Sequence, residues 1–294
     1  MLDRRTFLSA MGAAPLVLNA AAGPALAATD INAAIGSLEK KAGGRLGVAV
    51  LDLHTGRAFA HRGDERFPMC SVFKLSLAAL MLHRAEKGQE QLDRRLRWTR
   101  ADLIPNSPAT TKAVATGLTI RELSRDTIIH SDNTAANVLL REVGGPAGMT
   151  RFWRQIGDPV TRLDGIETAM SASTPGDVRD TTSPRAMLAT VRTLTLGDAL
   201  SPASRKQLID WLVANTTGDT RIRAGLPNGW VVGDKTGTGG HGTSNDVAVA
   251  WPPGRKPVFI STFLTGSKLE MKQRNAIIAE AARAVVAAGF GTAA

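Results

Sequence analysis

The sequence predicts an α+β fold: an antiparallel sheet flanked by terminal helices plus an inserted all-helical lobe. Three observations carry this. Alternating, β-rich segments cluster near both ends of the chain, at 45–62 and 230–265. Helical periodicity fills most of the interval from Ser71 to about Asn215. Amphipathic helical segments lie outside both strand clusters, at 29–42 and about 269–288. Two strand clusters so far apart bury their apolar faces by joining one sheet, which leaves the helical interval as an insertion.

The elements follow in order. Met1 to Ala27 reads as an address: Asp3-Arg4-Arg5, an apolar stretch broken by Gly12, Pro15, Asn19 and Pro24, then Ala25-Leu26-Ala27 in the small-x-small cleavage form. Those breaks argue against a stable span of about 20 residues, and the arginine pair points to a twin-arginine export signal. The expectation is an exported protein, periplasmic or secreted, without a stable membrane anchor and starting near Ala28. Ile31, Ala34, Ile35 and Leu38 recur at helical spacing until Gly43-Gly44. Arg45–Leu53 and Ala58–Arg62 read as strands around the turn His54-Thr55-Gly56-Arg57. The helical interval breaks at Gly88, at 104–108, at 144–146 and across a long loop from Gly157 to Pro184. A loop of that length inside a compact domain is usually functional. Strands return at Trp230–Lys235, Asn245–Trp251 and Val258–Thr265. The last helix places Ile277, Ala281, Val285 and Ala288 on one face. The chain thus divides into an export signal (1–27), an α/β lobe (28–66 with 216–294) and a helical lobe (67–215).

At 294 residues, with 43% hydrophobic and 21% charged, the chain can bury a real core as one large domain or two interleaved ones. The single cysteine, Cys70, excludes an internal disulfide and a thiolate-clustered zinc site. The five histidines show no metal-ligand spacing, so no metal or other cofactor is expected. The formal charge is +10, of which Asp3, Arg4 and Arg5 carry a net +1, leaving +9 after processing. The basic residues are spread out with no run of five or six, which reads as solvated surface; no nucleic-acid partner is expected, and a monomer is the default.

The chemistry begins at Ser71-Val72-Phe73-Lys74. Three residues are one helical turn, so hydroxyl and amine share a face. At a helix start the backbone N–H of Ser71 also points outward, where it can stabilise developing negative charge. Burial and nearby cations favour the neutral amine that could take the hydroxyl proton. The pair alone is weak, because Ser37-Leu38-Glu39-Lys40 repeats it on the face of the first helix. Specificity comes from Ser131-Asp132-Asn133, ahead of the helical stretch Thr134–Glu142, and from Lys235-Thr236-Gly237, at the end of a predicted strand. Taken singly, these read as a helix cap and a strand end; the three in this order, on a helix start, a loop and a strand, do not.

This set resembles the serine β-lactamase and penicillin-binding protein superfamily, and within it the class A serine β-lactamases. The resemblance covers most of the chain from about Arg45 into the last helix. It includes Arg162-Leu163-Asp164-Gly165-Ile166-Glu167 and Pro175–Pro184, which look like the class A Ω loop, at about 160–182. The resemblance implies an active site between the two lobes and hydrolysis there of the β-lactam ring of penicillins and cephalosporins, conferring resistance. Ser71 attacks the carbonyl; the N–H groups of Ser71 and Thr238 form the oxyanion hole. Lys74 or Glu167 takes the first proton, and Glu167 activates the hydrolytic water. Ser131, between Lys74 and Lys235, passes a proton to the leaving nitrogen. Lys235, Thr236 and Ser131 hold the substrate carboxylate beside Gly237, and Asn133 binds the side-chain amide. Glu167 separates this reading from a DD-peptidase, which lacks the loop carboxylate. Two further readings stay open: a slowly deacylating penicillin sensor, and a secreted, non-enzymatic anion-binding protein.

The chain departs from the family pattern at several points. Ser171 stands where the family usually has an Asn beside the hydrolytic water. Gly165 stands where an Arg often pairs with the Asp of the loop neck, so Asp180 is expected to lack its partner and the loop to be looser. Ser244 stands where many members carry the carboxylate-binding Arg. Arg221 matches the alternative position for that guanidinium, with Arg223 as its control. Asn106 replaces an aromatic gatekeeper. Cys70 lacks the partner near Gly239 found in some relatives.

Overall fold

The computed structural model describes residues 30–292. The export signal expected at 1–27 lies outside them. Helix α1 (Ile31–Ala42) starts where Asp30 Oδ1 accepts the N–H groups of Asn32 and Ala33, and stops at Gly43 with φ +63°. Strands β1 (Arg45–Asp52) and β2 (Ala58–His61) form the predicted hairpin. The short β3 (Phe67–Pro68) leads through a 3₁₀ turn at Cys70–Val72 into α2 (Phe73–Glu86). The helical interval continues with β4 (Arg95–Leu96), α3 (Pro108–Lys112), β5 (Leu118–Thr119), α4 (Ile120–Ile129), α5 (Asn133–Glu142), α6 (Gly145–Gln155), β6 (Thr181–Thr182), α7 (Pro184–Leu196) and α8 (Pro202–Val213). The chain then passes through α9 (Ile222–Gly225) into β7 (Val231–Gly239), β8 (Thr243–Trp251), β9 (Val258–Thr265) and α10 (Met271–Ala287).

Both strand clusters do join one antiparallel sheet, in the order β2-β1-β9-β8-β7. The seam is β1 with β9, paired from Arg45↔Thr265 to Asp52↔Val258. The sheet is buried on both faces. Leu46, Val48, Val50, Ile260 and Leu264 pack with Ile35 of α1 and with Ile277, Ile278 and Val285 of α10. Ala49, Val247, Val249, Phe259 and Phe263 face the other way, into the core shared with the helices. This is why β9 is buried at every position instead of at alternate ones.

Helix α2 is buried all round from Phe73 to Leu82 and forms the axis of the helical core. The side chains at its N-terminal end are therefore set on a rigid element. Two expectations are corrected. β7 does not end at Lys235 but runs on to Gly239, because it pairs with β8 along its whole length, from Val231↔Trp251 to Gly239↔Thr243. The segment 157–184 is not structureless: it holds a 3₁₀ turn at Ala169–Ser171, and Thr181–Thr182 pairs with Phe67–Pro68. The small β4–β5 pair was not predicted either; two residues per strand leave too short a pattern to read.

Candidate active site

Ser71 lies in the 3₁₀ turn just ahead of α2, not at the first α-helical residue, and Cys70 before it adopts φ +46°. That left-handed conformation is unfavourable for a residue with a Cβ and re-aims the chain into the helix. The Ser71 hydroxyl donates to Glu167 Oε1 at 2.8 Å. Lys74, one turn on and fully buried, brings Nζ to 3.0 Å from the same oxygen. It also donates to Asn133 Oδ1 at 2.5 Å and to the Ser131 carbonyl at 2.9 Å, with Ser131 Oγ at 3.4 Å. Burial lowers the Lys74 pKa more than the Glu167 charge raises it. Burial pushes the Glu167 pKa up, but the Lys74 charge and the hydrogen bonds from Ser71, Lys74 and Ser171 outweigh it and hold the carboxyl below its ordinary value. The exposed pair Ser37 and Lys40 has no such surroundings.

The second motif hangs on Asp132. Its carboxylate caps α5 at Ala135 N–H and accepts the N–H groups of Ala109 and Thr110, tying the α3 turn to α5. Ser131, with φ +55°, and Asn133 are thereby turned into the cleft. Asn106, with φ +58°, accepts Asn133 N–H on its carbonyl and donates its amide to the Ser131 carbonyl.

The third motif comes from β7, the edge strand nearest the helices. The strand pairs on one side only, with β8. Lys235 Nζ donates to Ser131 Oγ at 3.0 Å and to the Thr236 carbonyl at 2.9 Å. Burial first, then repulsion by Lys74, lowers the Lys235 pKa to about 7. Arg221, 4% exposed, donates to the carbonyls of Gly237 (2.9 Å) and Asn245 (2.6 Å) and to Thr238 Oγ1 (2.7 Å). Arg223 turns away and pairs with the buried Asp234. Gly237 is required by space: a Cβ there would sit 2.6 Å from the Met69 carbonyl, in the turn that carries Ser71. Gly239 is required in the same way by the Ser171 carbonyl at 2.5 Å and Cys70 Sγ at 2.6 Å.

The loop carboxylate is positioned by a residue that sequence reasoning missed. Asn137 Oδ1 accepts Glu167 N–H at 3.0 Å, and its amide donates to the Glu167 carbonyl at 2.8 Å. Its only signal was its place one turn after Asn133 on α5. Asn245 and Asn275 were also missed: the first donates to the carbonyls of Pro68 and Met69, the second accepts from Arg221 Nε. Ser171 donates to Glu167 Oε2 at 3.1 Å. As Gly165 had suggested, Asp180 makes no ion pair among the described residues; its Oδ1 instead accepts the N–H groups of Asp164 (2.7 Å) and Gly165 (2.9 Å). Cys70 is buried, with Sγ 3.4 Å from Ser173 Oγ and its thiol pKa pushed up to about 12 by burial.

These groups surround a cleft of about 480 Å³, lined by every predicted site residue except Lys74 and Lys235, which lie just behind its wall. The profile of the "Beta-lactamase enzyme family" matches residues 27–288. Beta-lactamase OXY-2 of Klebsiella oxytoca is 46% identical over 277 residues, 94% of this chain and 96% of that protein. The carbapenem-hydrolyzing beta-lactamase KPC of Klebsiella oxytoca is 47% identical over 247 residues, 84% of each. Among solved structures, the reconstructed last common ancestor of Gram-negative bacteria class A β-lactamase (GNCA4) superposes with a TM-score of 0.87 at 59% identity, covering 88% of this chain and 98% of that one.

Proposed function

The chain belongs to the β-lactamase enzyme family and hydrolyses β-lactam antibiotics, and from that premise we propose that Ser71 is its nucleophile and Glu167 its general base. The observation that carries this is the hydrogen bond from the Ser71 hydroxyl straight to Glu167 Oε1, with Lys74 Nζ on the same oxygen. As Ser71 Oγ bonds to the lactam carbon, its proton passes to Glu167 while Lys74 balances the charge. The oxyanion falls between the N–H groups of Ser71 and Thr238. Ser131, bridged between Lys74 and Lys235, gives a proton to the departing ring nitrogen as the C–N bond breaks, and is refilled through Lys74 with the proton that Glu167 took from Ser71, which leaves Glu167 ionised again. Lys235, Thr236 and Arg221 hold the substrate carboxylate, and Asn133 the side-chain amide. Water, deprotonated by Glu167 and steered by Ser171 on its other oxygen, then releases the opened acid and regenerates Ser71. The protein works as an exported monomer. A mature start near Ala28, read by intact mass of the exported protein, checks that part.

Turnover of a chromogenic cephalosporin, followed by colour and protein mass together, tests the reading. The wild type should turn over without a lasting adduct, Ser71→Ala should not react, and Glu167→Gln should acylate slowly and then hold the acyl adduct. Retained turnover in Ser71→Ala would overturn the assignment. One equivalent of colour with a persistent adduct in the wild type would favour the DD-peptidase or sensor reading.

A further inference from the structure

Away from the cleft, at the far end of the helix that begins beside Ser71, a second concavity of about 400 Å³ lies between the last turn of α2 and helix α6. Three of its lining side chains are Arg84, Lys87 and Arg151, and none of its lining residues is acidic. The carboxylates nearest in sequence are engaged elsewhere: Glu86 accepts Ser201 N–H, while Glu90 and Glu142 both bind Arg94. Among the described residues, neither the Lys87 nor the Arg151 side chain makes a hydrogen bond or ion pair. Arg84 Nε is buried without any partner, and its guanidinium reaches only the Gln89 carbonyl at 3.5 Å. Buried donors are nearly always satisfied, so this guanidinium keeps hydrogen-bonding capacity that its own fold leaves unused beside the concavity.

Complementing the α2 dipole accounts for Arg84 and Lys87, which stand at its negative end. It does not account for Arg151, which belongs to another helix. The Arg151 guanidinium lies over the first turn of α6, with Nη2 3.3 Å from where a Cβ on Gly144 would be. That end of α6 carries partial positive charge, so helix and side chain present the same sign there, and an anion relieves both. The buried Leu80 and Phe152 close the floor and limit competition from water for those donors.

We propose that this concavity is a binding site for a compact, multiply charged phosphate-type oxyanion, held by Arg84, Lys87 and Arg151 and separate from the β-lactam cleft. Planar guanidinium forks match two oxygens of such a group, and Lys87 adds a point charge. The nucleic-acid reading of the net charge is not revived, because the feature is one pocket and not an extended stripe.

Titration of the purified full-length protein with pyrophosphate, at ionic strength matched with sodium chloride, tests this by calorimetry and by the shift in Tm. One saturable site is expected, and cephalosporin turnover should be unchanged when it is filled. The double variant Lys87→Gln/Arg151→Gln, whose two side chains are exposed and unpaired, should lose most of the binding. Arg84→Gln should do the same, with its fold checked by circular dichroism. Lys112→Gln/Lys256→Gln removes as much charge from the surface elsewhere and should bind like the wild type. Absence of saturable binding, or an equal loss in both double variants, would overturn the proposal. Competition between pyrophosphate and the cephalosporin would place the anion in the β-lactam cleft instead, and would overturn it as well.

Discussion

At Lys235 the charge proposed to recognise substrate is held at a disadvantage. Burial and the neighbouring Lys74 bring its pKa to about 7, so the free enzyme loses that charge as pH rises through neutrality. kcat/KM, which reports the free enzyme, should therefore fall above about pH 7 for an anionic cephalosporin. kcat should stay flatter, because the bound carboxylate restores the charge. Lys235→Arg, permanently protonated, should lose this limb; a profile identical to wild type would remove Lys235 from the role. Asn137 offers a second test. Asn137→Leu takes away both bonds that fix the Glu167 backbone. Acylation and deacylation, which both use Glu167 as base, should each slow by on the order of a hundredfold in a variant whose far-UV circular dichroism matches wild type. Unchanged rates in that folded variant would remove Asn137 from the role. These residues also mark what the sequence can reveal. Ser71, Lys74, Ser131, Asn133 and Lys235 were legible because short motifs carry them. Asn137 and Asn245 were not, because their partners lie 30 and 176 residues away and an isolated Asn announces neither.

At the scale of elements, the site is a meeting of β7 with two other segments, and two glycines set how closely they meet. Gly237 admits the Ser71 turn and Gly239 admits the Ω loop, whose docking is completed by Gly240 N–H on the Ser171 carbonyl at 2.9 Å. The two substitutions should therefore separate the half-reactions. Gly237→Ala pushes on the Met69 carbonyl and should slow acylation. Gly239→Ala pushes on the Ser171 carbonyl and should slow deacylation, each by on the order of tenfold or more for a penicillin. Pre-steady-state kinetics read both steps, and the opposite assignment would mean that β7 itself shifts. The sequence suggested a strand ending at Lys235 because Gly237, Gly239 and Gly240 after it weaken local β preference. Pairing with β8 overrides that preference, and the extension carries Thr238 and Gly239. In the Ω loop the missing arginine leaves Asp180 with two backbone donors in place of an ion pair, and no side-chain pattern could show those donors.

At the scale of the molecule, one sheet separates two cores, and the chain must return to its own beginning to complete it. The return is fastened at Asp52. This fully buried carboxylate accepts N–H groups from His54 at 2.7 Å and Thr55 at 3.3 Å in its own turn, and from Gly291 at 3.0 Å beyond α10. Arg57 beside it donates to the Ala288 carbonyl and covers the Phe290 ring. Asp52→Ala leaves those donors without an acceptor and should cost about 1–3 kcal/mol, or roughly 2–4 °C in Tm per kcal/mol. Burial acts to raise the Asp52 pKa, but the backbone donors outweigh it and hold the carboxyl below its ordinary value. A carboxyl whose pKa is lowered by folding binds fewer protons in the native state. Its contribution is therefore complete above the unfolded pKa of about 3.9 and is lost as pH falls through the folded value. The Tm gap between wild type and variant should accordingly be full at pH 7 and should narrow below about pH 4. Cephalosporin turnover at 25 °C should be unchanged, since the site rests on α2 and β7 and not on the hairpin. A gap independent of pH, or a loss of kcat in the folded variant, would show that the far edge of the sheet is coupled to the cleft.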